Sequence, residues 1–305
     1  MTRPIAIVGA ASSIGIRPYD DGEPRHLYRA PSRFRELGLA ERLAAADLGD
    51  VEPPPYRDID RPPGAMRNER ELEEYSAALA ERVAEAADGG RFVLLLGGDC
   101  SILLGGLLGA RRAAGGPVGL AYVDAHADFA TQRESFTGSA ASMDLALAVG
   151  RGDSPLARLD GAAPLVRAAD VVLIGRRDQA EPWYGHDALR ASEILDLPHD
   201  QVRARGPAST AEAALRRLTR RGLAGFWLHV DADVLDPTVV PAVDSPEPGG
   251  LGLDELAALL APLARHPRAL GLQLTIYDPS LDPDRTSATR LATLLERVLG
   301  GVGAS

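Results

Sequence analysis

Five- and six-residue runs of uninterrupted apolar side chains constrain this chain most. Phe92-Val-Leu-Leu-Leu96 and Val118-Gly-Leu-Ala-Tyr-Val123 show none of the in–out alternation of a sheet with one wet face. Continuous strings of this length fit parallel strands buried on both faces. Ile5–Gly9, Val171–Ile174, Phe226–Val230 and Leu270–Ile276 read as further strands. Between them run segments of helical period: Glu69–Ala87, Ile102–Ala113, Thr210–Arg221, Leu253–Leu263 and Asp284–Leu299. Leu72, Tyr75, Leu79 and Val83 share one face of the first, as in a helix lying on a sheet. Ser209 or Thr210 is the expected cap of the third, and Asp284 that of the last. Strand followed by helix, repeated, is an α/β layer fold. The proline- and glycine-rich stretches Asp50–Gly64, Gly115–Pro117, Pro237–Gly250 and Pro279–Pro283 read as loops. None has the composition of an interdomain linker, so residues 1–305 are expected to form one domain.

The apolar runs end in acidic loops. Gly97-Gly-Asp-Cys-Ser101 follows one strand, Asp124-Ala-His-Ala-Asp128 the next, and Asp231-Ala-Asp-Val-Leu-Asp-Pro237 a third. Groups beyond the carboxyl ends of parallel strands converge on one crevice. Asp124, His126 and Asp128 recur at every second residue, as do Asp231 and Asp233, so each set points to one side of an extended chain. Taken singly, such aspartates cap helices and close turns. Together, four carboxylates in one crevice repel unless cations neutralise them, and two divalent ions would do so. Oxygen ligands with a histidine suit manganese, and paired ions generate a hydroxide nucleophile.

Composition narrows the partners. The net charge of −10 disfavours a nucleic-acid groove, which needs a basic footprint. The single cysteine, Cys100, excludes an intrachain disulfide and a CxxC zinc or redox site. No stretch reaches the ~18 apolar residues of a membrane span, and the opening MTRPIAIVGA lacks the pattern of a cleaved leader. A cytoplasmic protein acting on a small molecule is expected. No dinucleotide or phosphate-loop spacing is present.

At the three acidic loops the sequence resembles the ureohydrolase family of arginases, agmatinases and formiminoglutamases, whose pattern is GGDHS, DAHxD and DxDxxDP. Pro241–Gly250 resembles its PxxGTPxPGG loop, and Asp278-Pro-Ser-Leu281 its late NPxL turn. Ala30-Pro31 with Arg35 and Gly38 resembles its early substrate loop. The resemblance, from about residue 5 to 299, implies a three-layer α/β/α sandwich around a mostly parallel eight-stranded sheet. It implies one manganese position made by Cys100, Asp124, Asp128 and Asp231, and another by His126, Asp124, Asp231 and Asp233. It also implies a trimer or hexamer.

The departures from the pattern are local. Cys100 replaces a ligating histidine, and its softer thiolate favours zinc, iron or cobalt over manganese. Two ions with a thiolate ligand, one ion in the intact position, and an unligated Cys100 all fit. The histidine of the family's GNxHGM loop becomes Ala141, the asparagine after DAHxDx becomes Ala130, and the glutamate that holds a guanidinium becomes Ile276. Loss of that carboxylate removes the bidentate partner of a guanidinium. An acidic contact to a substrate amino group becomes Ala180, followed by Glu181. The expected activity is hydrolysis of a linear carbon–nitrogen bond, in an amidine, guanidino or amide compound, by a metal-bound hydroxide. Asp128 orients that hydroxide, and His26 stands in for the missing proton shuttle. Asp244, Ser245, Glu247 and Asp278 are expected to border the substrate, and His229 to orient a ligand. The other reading is a non-catalytic relative that binds one metal or a small ligand.

Overall fold

The computed structural model describes residues 3–57, 61–161, 164–181 and 185–302. Its centre is one eight-stranded sheet: β1 Ile5–Ala10, β2 Ala46–Val51, β3 Phe92–Leu96, β4 Val118–Val123, β5 Val171–Ile174, β6 Leu195–Leu197, β7 Gly225–Asp231 and β8 Ala269–Thr275. The strand order is β2-β1-β3-β8-β7-β4-β5-β6, and every pairing between neighbours is parallel.

Each apolar strand feeds two cores because successive side chains point to opposite faces. Leu94, Leu96, Ala121, Val123, Leu228, Val230, Leu272 and Leu274 pack under the helices Pro207–Leu218, Leu253–Ala264 and Thr286–Leu299. Val93, Leu95, Leu120, Tyr122, Leu173 and Trp227 pack under Glu69–Ala86 and Ile102–Ala114. The result is the three-layer α/β/α sandwich expected, and Leu72, Tyr75, Leu79 and Val83 do face the sheet. Among the described residues no helix is long and apolar enough to cross a membrane.

Two strands escape the sequence reading. β2 (Ala-Asp-Leu-Gly-Asp-Val) and the three-residue β6 (Leu-Asp-Leu) lie at the two edges of the sheet. Edge strands carry polar residues and need no apolar run. β8 stops at Thr275 because Ile276 takes a left-handed backbone, φ +65°. Two caps also differ. The third helix starts at Pro207 after Gly206, and Thr210 instead donates its hydroxyl back to the Gly206 carbonyl. The last helix starts at Thr286; buried Asp282 accepts from the N–H groups of Ser287 and Ala288, while Asp284 serves only Thr286.

The strand order matters most for the site. β3, β8, β7 and β4 are lateral neighbours, so the loops that leave their carboxyl ends meet, although their strands are far apart in sequence.

Candidate metal centre

The loop after β3 turns through Gly97 and Gly98, with φ of +86° and +85°. A Cβ on Gly98 would lie 2.8 Å from the Ala10 carbonyl oxygen, and one on Gly97 2.5 Å from Pro31 Cδ, so only glycine passes there. Asp99, next in line, is fully buried and structural: its carboxylate accepts from the N–H groups of Gly15 and Ser101, each at 3.0 Å. The turn delivers Cys100 to the end of β7.

Three carboxylates at this spot share one design. Asp124 Oδ1 accepts from the His126 N–H at 2.6 Å, Asp231 Oδ1 from the Asp233 N–H at 2.8 Å, and Asp233 Oδ1 from the Ala125 N–H at 3.2 Å. Each therefore has one oxygen fixed by the backbone and the other turned toward its neighbours. Asp233 Oδ2 lies 2.9 Å from His126 Nδ1, which is 3.6 Å from Asp124 Oδ1. Asp231 Oδ2 lies 2.8 Å from Cys100 Sγ and 3.4 Å from Thr275 Oγ1. Asp124 Oδ2 is buried with no hydrogen bond, and the buried Nε2 of His229 faces it at 3.6 Å. Donor atoms fall into two groups, the members of each mutually within 4.8 Å: Asp124, His126 and Asp233, and Cys100, Asp124, His229 and Asp231.

The electrostatics follow from crowding. Burial pushes Asp231 well above the usual carboxylate range, and the charges of Asp233 and Asp124 add to it. Burial also opposes ionisation of Asp124, but the imidazoles of His126 and His229 beside it outweigh burial and hold that carboxyl low. The Cys100 thiol is pushed well up by burial and by Asp231, so it is an S–H donor to Asp231 until a cation displaces the proton.

Asp128 stands apart from both donor groups. Its backbone is left-handed, φ +43°, and its Oδ2 lies 2.9 Å from the Tyr122 hydroxyl. The same hydroxyl lies 3.0 Å from Asp144 Oδ1. One hydroxyl has one hydrogen to give, so one of the two carboxyls must carry a proton and donate it back. Burial and neighbouring acidic charge raise both well above the ordinary range. Among the described residues Asp128 Oδ1 takes no hydrogen bond, and Asp128 lines the cavity over the donors.

That cavity, about 180 Å³, has Cys100, His126, Asp231 and Asp233 at its floor. Ala141 and Ile276 form part of its wall, with Asp244 and Ser245 toward the mouth. Of the other residues singled out in the sequence, Glu247 is exposed and outside the lining, and its carbonyl accepts from Arg177. Asp278 is fully buried, with Oδ1 held by Ser280 and Oδ2 by the His26 N–H and the Tyr19 hydroxyl. Thus Asp278 is an anchor for residues 19–26, and the His26 ring packs on Tyr28 outside the lining. Arg35 pairs with Asp47 and Asp50 of β2 and is likewise outside it.

Sequence reasoning passed over Arg25, Tyr122, Asp144 and Gln273. Arg25 lines the cavity, pairs with Asp244, and lies 4.0 Å over the Tyr19 ring. Asp144 had a signal, an acid leading the apolar run Leu-Ala-Leu-Ala; Gln273 had one as an amide inside the apolar β8.

The profile of the Arginase family matches residues 3–300. The chain belongs to the arginase family. It is 30% identical to the arginase of Bacillus caldovelox, over 98% of each chain, and 30% identical to human arginase-1, over 95% of this chain and 89% of that one. The solved arginase of Bacillus caldovelox superposes with a TM-score of 0.86 at 29% identity, covering 98% of this chain and 99% of that one. Formimidoylglutamase of Bacillus subtilis shares the fold at 20% identity, with a TM-score of 0.76. Membership of the arginase family makes this chain a hydrolase of carbon–nitrogen bonds by kinship, and the donor cluster fits a family that uses two metal ions.

Proposed function

We propose that the chain is a metal-dependent hydrolase of a linear carbon–nitrogen bond in a small amidine, guanidino or amide compound other than arginine. The observation that carries this reading is the set of inward oxygens on Asp124, Asp231 and Asp233, each with its twin locked to a backbone N–H. Unpartnered Asp124 Oδ2, buried among acids, is hard to account for without a cation. The ligand sets we assign are His126, Asp124, Asp231 and Asp233 for one position and Cys100, Asp124 and Asp231 for the other, which Asp128 would join only by turning Oδ1 in from the cavity wall. Manganese suits the first, and zinc, iron or cobalt the second if Cys100 ligates. Divalent ions supply there, when bound, the charge that acidifies water and polarises the bond to be broken.

The protein's own groups do the rest. Asp128, steadied by Tyr122, accepts a proton of the attacking water at Oδ1 and returns it to the departing nitrogen. Water thus gives its oxygen to carbon and its hydrogen to the amine. The apolar Ile276 and Ala141 offer no carboxylate or imidazole to a guanidinium, and Arg25 places a guanidinium of the protein's own in the wall. This lining favours a compound that carries an acidic or neutral group beside the carbon–nitrogen bond to be broken over one with a second cationic group.

The test is metal content per chain by elemental analysis, followed by a panel of amidines, amides and guanidino acids. Two equivalents per chain and turnover that falls ~10²–10⁴-fold in Asp128→Asn support the proposal. One equivalent, rising to two in Cys100→His, with no turnover across the panel, supports the non-catalytic reading instead. That second reading draws on the Cys100–Asp231 hydrogen bond, which occupies one inward oxygen with a protonated thiol. A trimer or hexamer belongs to the proposal and is checked by light scattering.

A further inference from the structure

One row of side chains crosses three strands just beneath the donor cluster. In register, Tyr122 of β4 stands beside His229 of β7, and His229 beside Gln273 of β8. All three are fully buried, and the Tyr122 and His229 rings stack with centroids 4.2 Å apart. Trp227, two residues before His229 and on the same face, reaches Gln273 Oε1 with its Nε1 at 2.7 Å. Gln273 Nε2 lies 2.7 Å from His229 Nδ1. The far nitrogen, His229 Nε2, faces Asp124 Oδ2 at 3.6 Å, and neither atom has another partner.

The direction of this chain is decided at its start. An indole nitrogen only donates, so the Gln273 oxygen must face Trp227 and its amide N–H₂ must face His229. His229 Nδ1 is therefore the acceptor and carries no proton. A neutral imidazole then carries its proton on Nε2. An Nε2 bearing a proton has no lone pair for a metal, although its distance to Cys100, Asp124 and Asp231 would permit ligation. It does have a hydrogen to give to Asp124 Oδ2, and 3.6 Å is too long for that bond as it stands. Closing it requires Asp124 Oδ2 to approach Nε2 by about 0.4 Å.

We propose that His229 is a positioning residue for the metal centre: Trp227 and Gln273 fix its proton on Nε2, and that proton orients Asp124 without His229 itself ligating. The relay inverts the usual arrangement, in which a ligating histidine donates its other N–H to an outer acceptor. Here an outer amide donates to the histidine, and the histidine donates to the ligand. The inference rests on the metal-binding reading for its purpose, but the tautomer exists without any ion.

The experiment is ¹⁵N–¹H correlation of histidine side chains in chelator-treated protein carrying ¹⁵N-histidine, with His229→Phe to assign the resonance. Only 6 histidines contribute. The expected spectrum has a bare Nδ1 and a protonated Nε2 for His229, unchanged in protonation when zinc is added. A bare Nε2 in the metal-free protein, or loss of its proton on zinc binding, overturns the proposal. Gln273→Glu replaces the donor to Nδ1 by an acceptor and is expected to move a proton onto Nδ1; an unaltered tautomer overturns the relay. Trp227→Phe, which frees the amide to turn over, gives the same reading should the glutamate variant not fold, with a second tautomer expected. His229→Phe keeps the stacking ring and is expected to weaken zinc binding 10- to 100-fold, the usual loss on removing such a partner; unchanged affinity overturns the assigned purpose. Protein that takes up no zinc counts against the metal-binding reading, and the metal-free spectrum still decides the tautomer.

Discussion

Replacing Asp144 by asparagine should convert a pH-dependent destabilisation into a constant one. Asp144 is fully buried, with Oδ1 3.0 Å from the Tyr122 hydroxyl and Oδ2 without a partner. Burial, and then the charge of Asp124, raise its carboxyl well above the ordinary range. In the unfolded chain the same group ionises near ~3.9. Above that pH the folded protein holds a proton that the unfolded chain has released, so stability falls as pH rises until the folded group itself ionises. The contribution is complete below pH ~4 and is lost on the way to the raised folded value. Each pH unit inside that window is worth about 1.4 kcal/mol. A carboxyl still protonated at pH 6 has then lost about 3 kcal/mol relative to pH 4, against a total of roughly 5–15 kcal/mol for a domain. Asparagine does not titrate. It keeps an acceptor for Tyr122 but buries an unpaired N–H₂, a constant cost of about 1–3 kcal/mol. Urea unfolding of metal-stripped protein should show Asp144→Asn less stable than the parent near pH 4.5 and level with it or ahead by pH 7. A gap that stays constant across this range would refute both the raised carboxyl and the shared proton at Tyr122.

Gly109→Ala should destabilise the fold although alanine is the better helix former by about 1 kcal/mol. Its Cβ would lie 2.6 Å from the Ala80 carbonyl oxygen and 2.7 Å from Val83 Cβ, forcing the helices 69–86 and 102–114 apart. Overpacking of this kind costs about 1–3 kcal/mol, so a net loss of about 1 kcal/mol is expected in chemical denaturation. Ile276→Glu should give the cavity a carboxylate for a guanidinium, read by calorimetry as binding of a small guanidino compound tightened at least about tenfold, near the ~1.5–3 kcal/mol of a charged hydrogen bond. Unchanged binding would show that Arg25 and Asp244 already determine what the cavity admits.

The parts of the molecule legible in the sequence are those where one residue type does one job at a fixed place. Apolar runs marked the six buried strands because burial on both faces leaves little room for polar residues. The acidic motifs were legible because Asp124, His126, Asp231 and Asp233 sit directly on strand ends, where spacing maps onto geometry. Asp278 and Asp128 show where that mapping stops. Both follow the same rule of position, yet Asp278 is consumed by Ser280, His26 and Tyr19, and a left-handed backbone turns Asp128 toward Tyr122. What a loop carboxylate does depends on which donors its neighbours have spare, and only the folded chain supplies that.

The polar row under the cluster was illegible for a different reason. Tyr122, His229 and Gln273 are more than 40 residues apart in sequence and become adjacent only because β8 and β7 insert between β3 and β4. Nothing local announces that lateral order. The row does, however, explain two glycines with no role in a turn. A Cβ on Gly271 would lie 2.3 Å from Trp227 Cζ3, and one on Gly106 2.9 Å from Gln273 Oε1. Both absences make room for the indole–amide pair that sets the proton of His229. On the proposed relay, the space kept clear around Trp227 and Gln273 serves Asp124, and the candidate metal centre extends into what a sequence reading assigns to plain hydrophobic core.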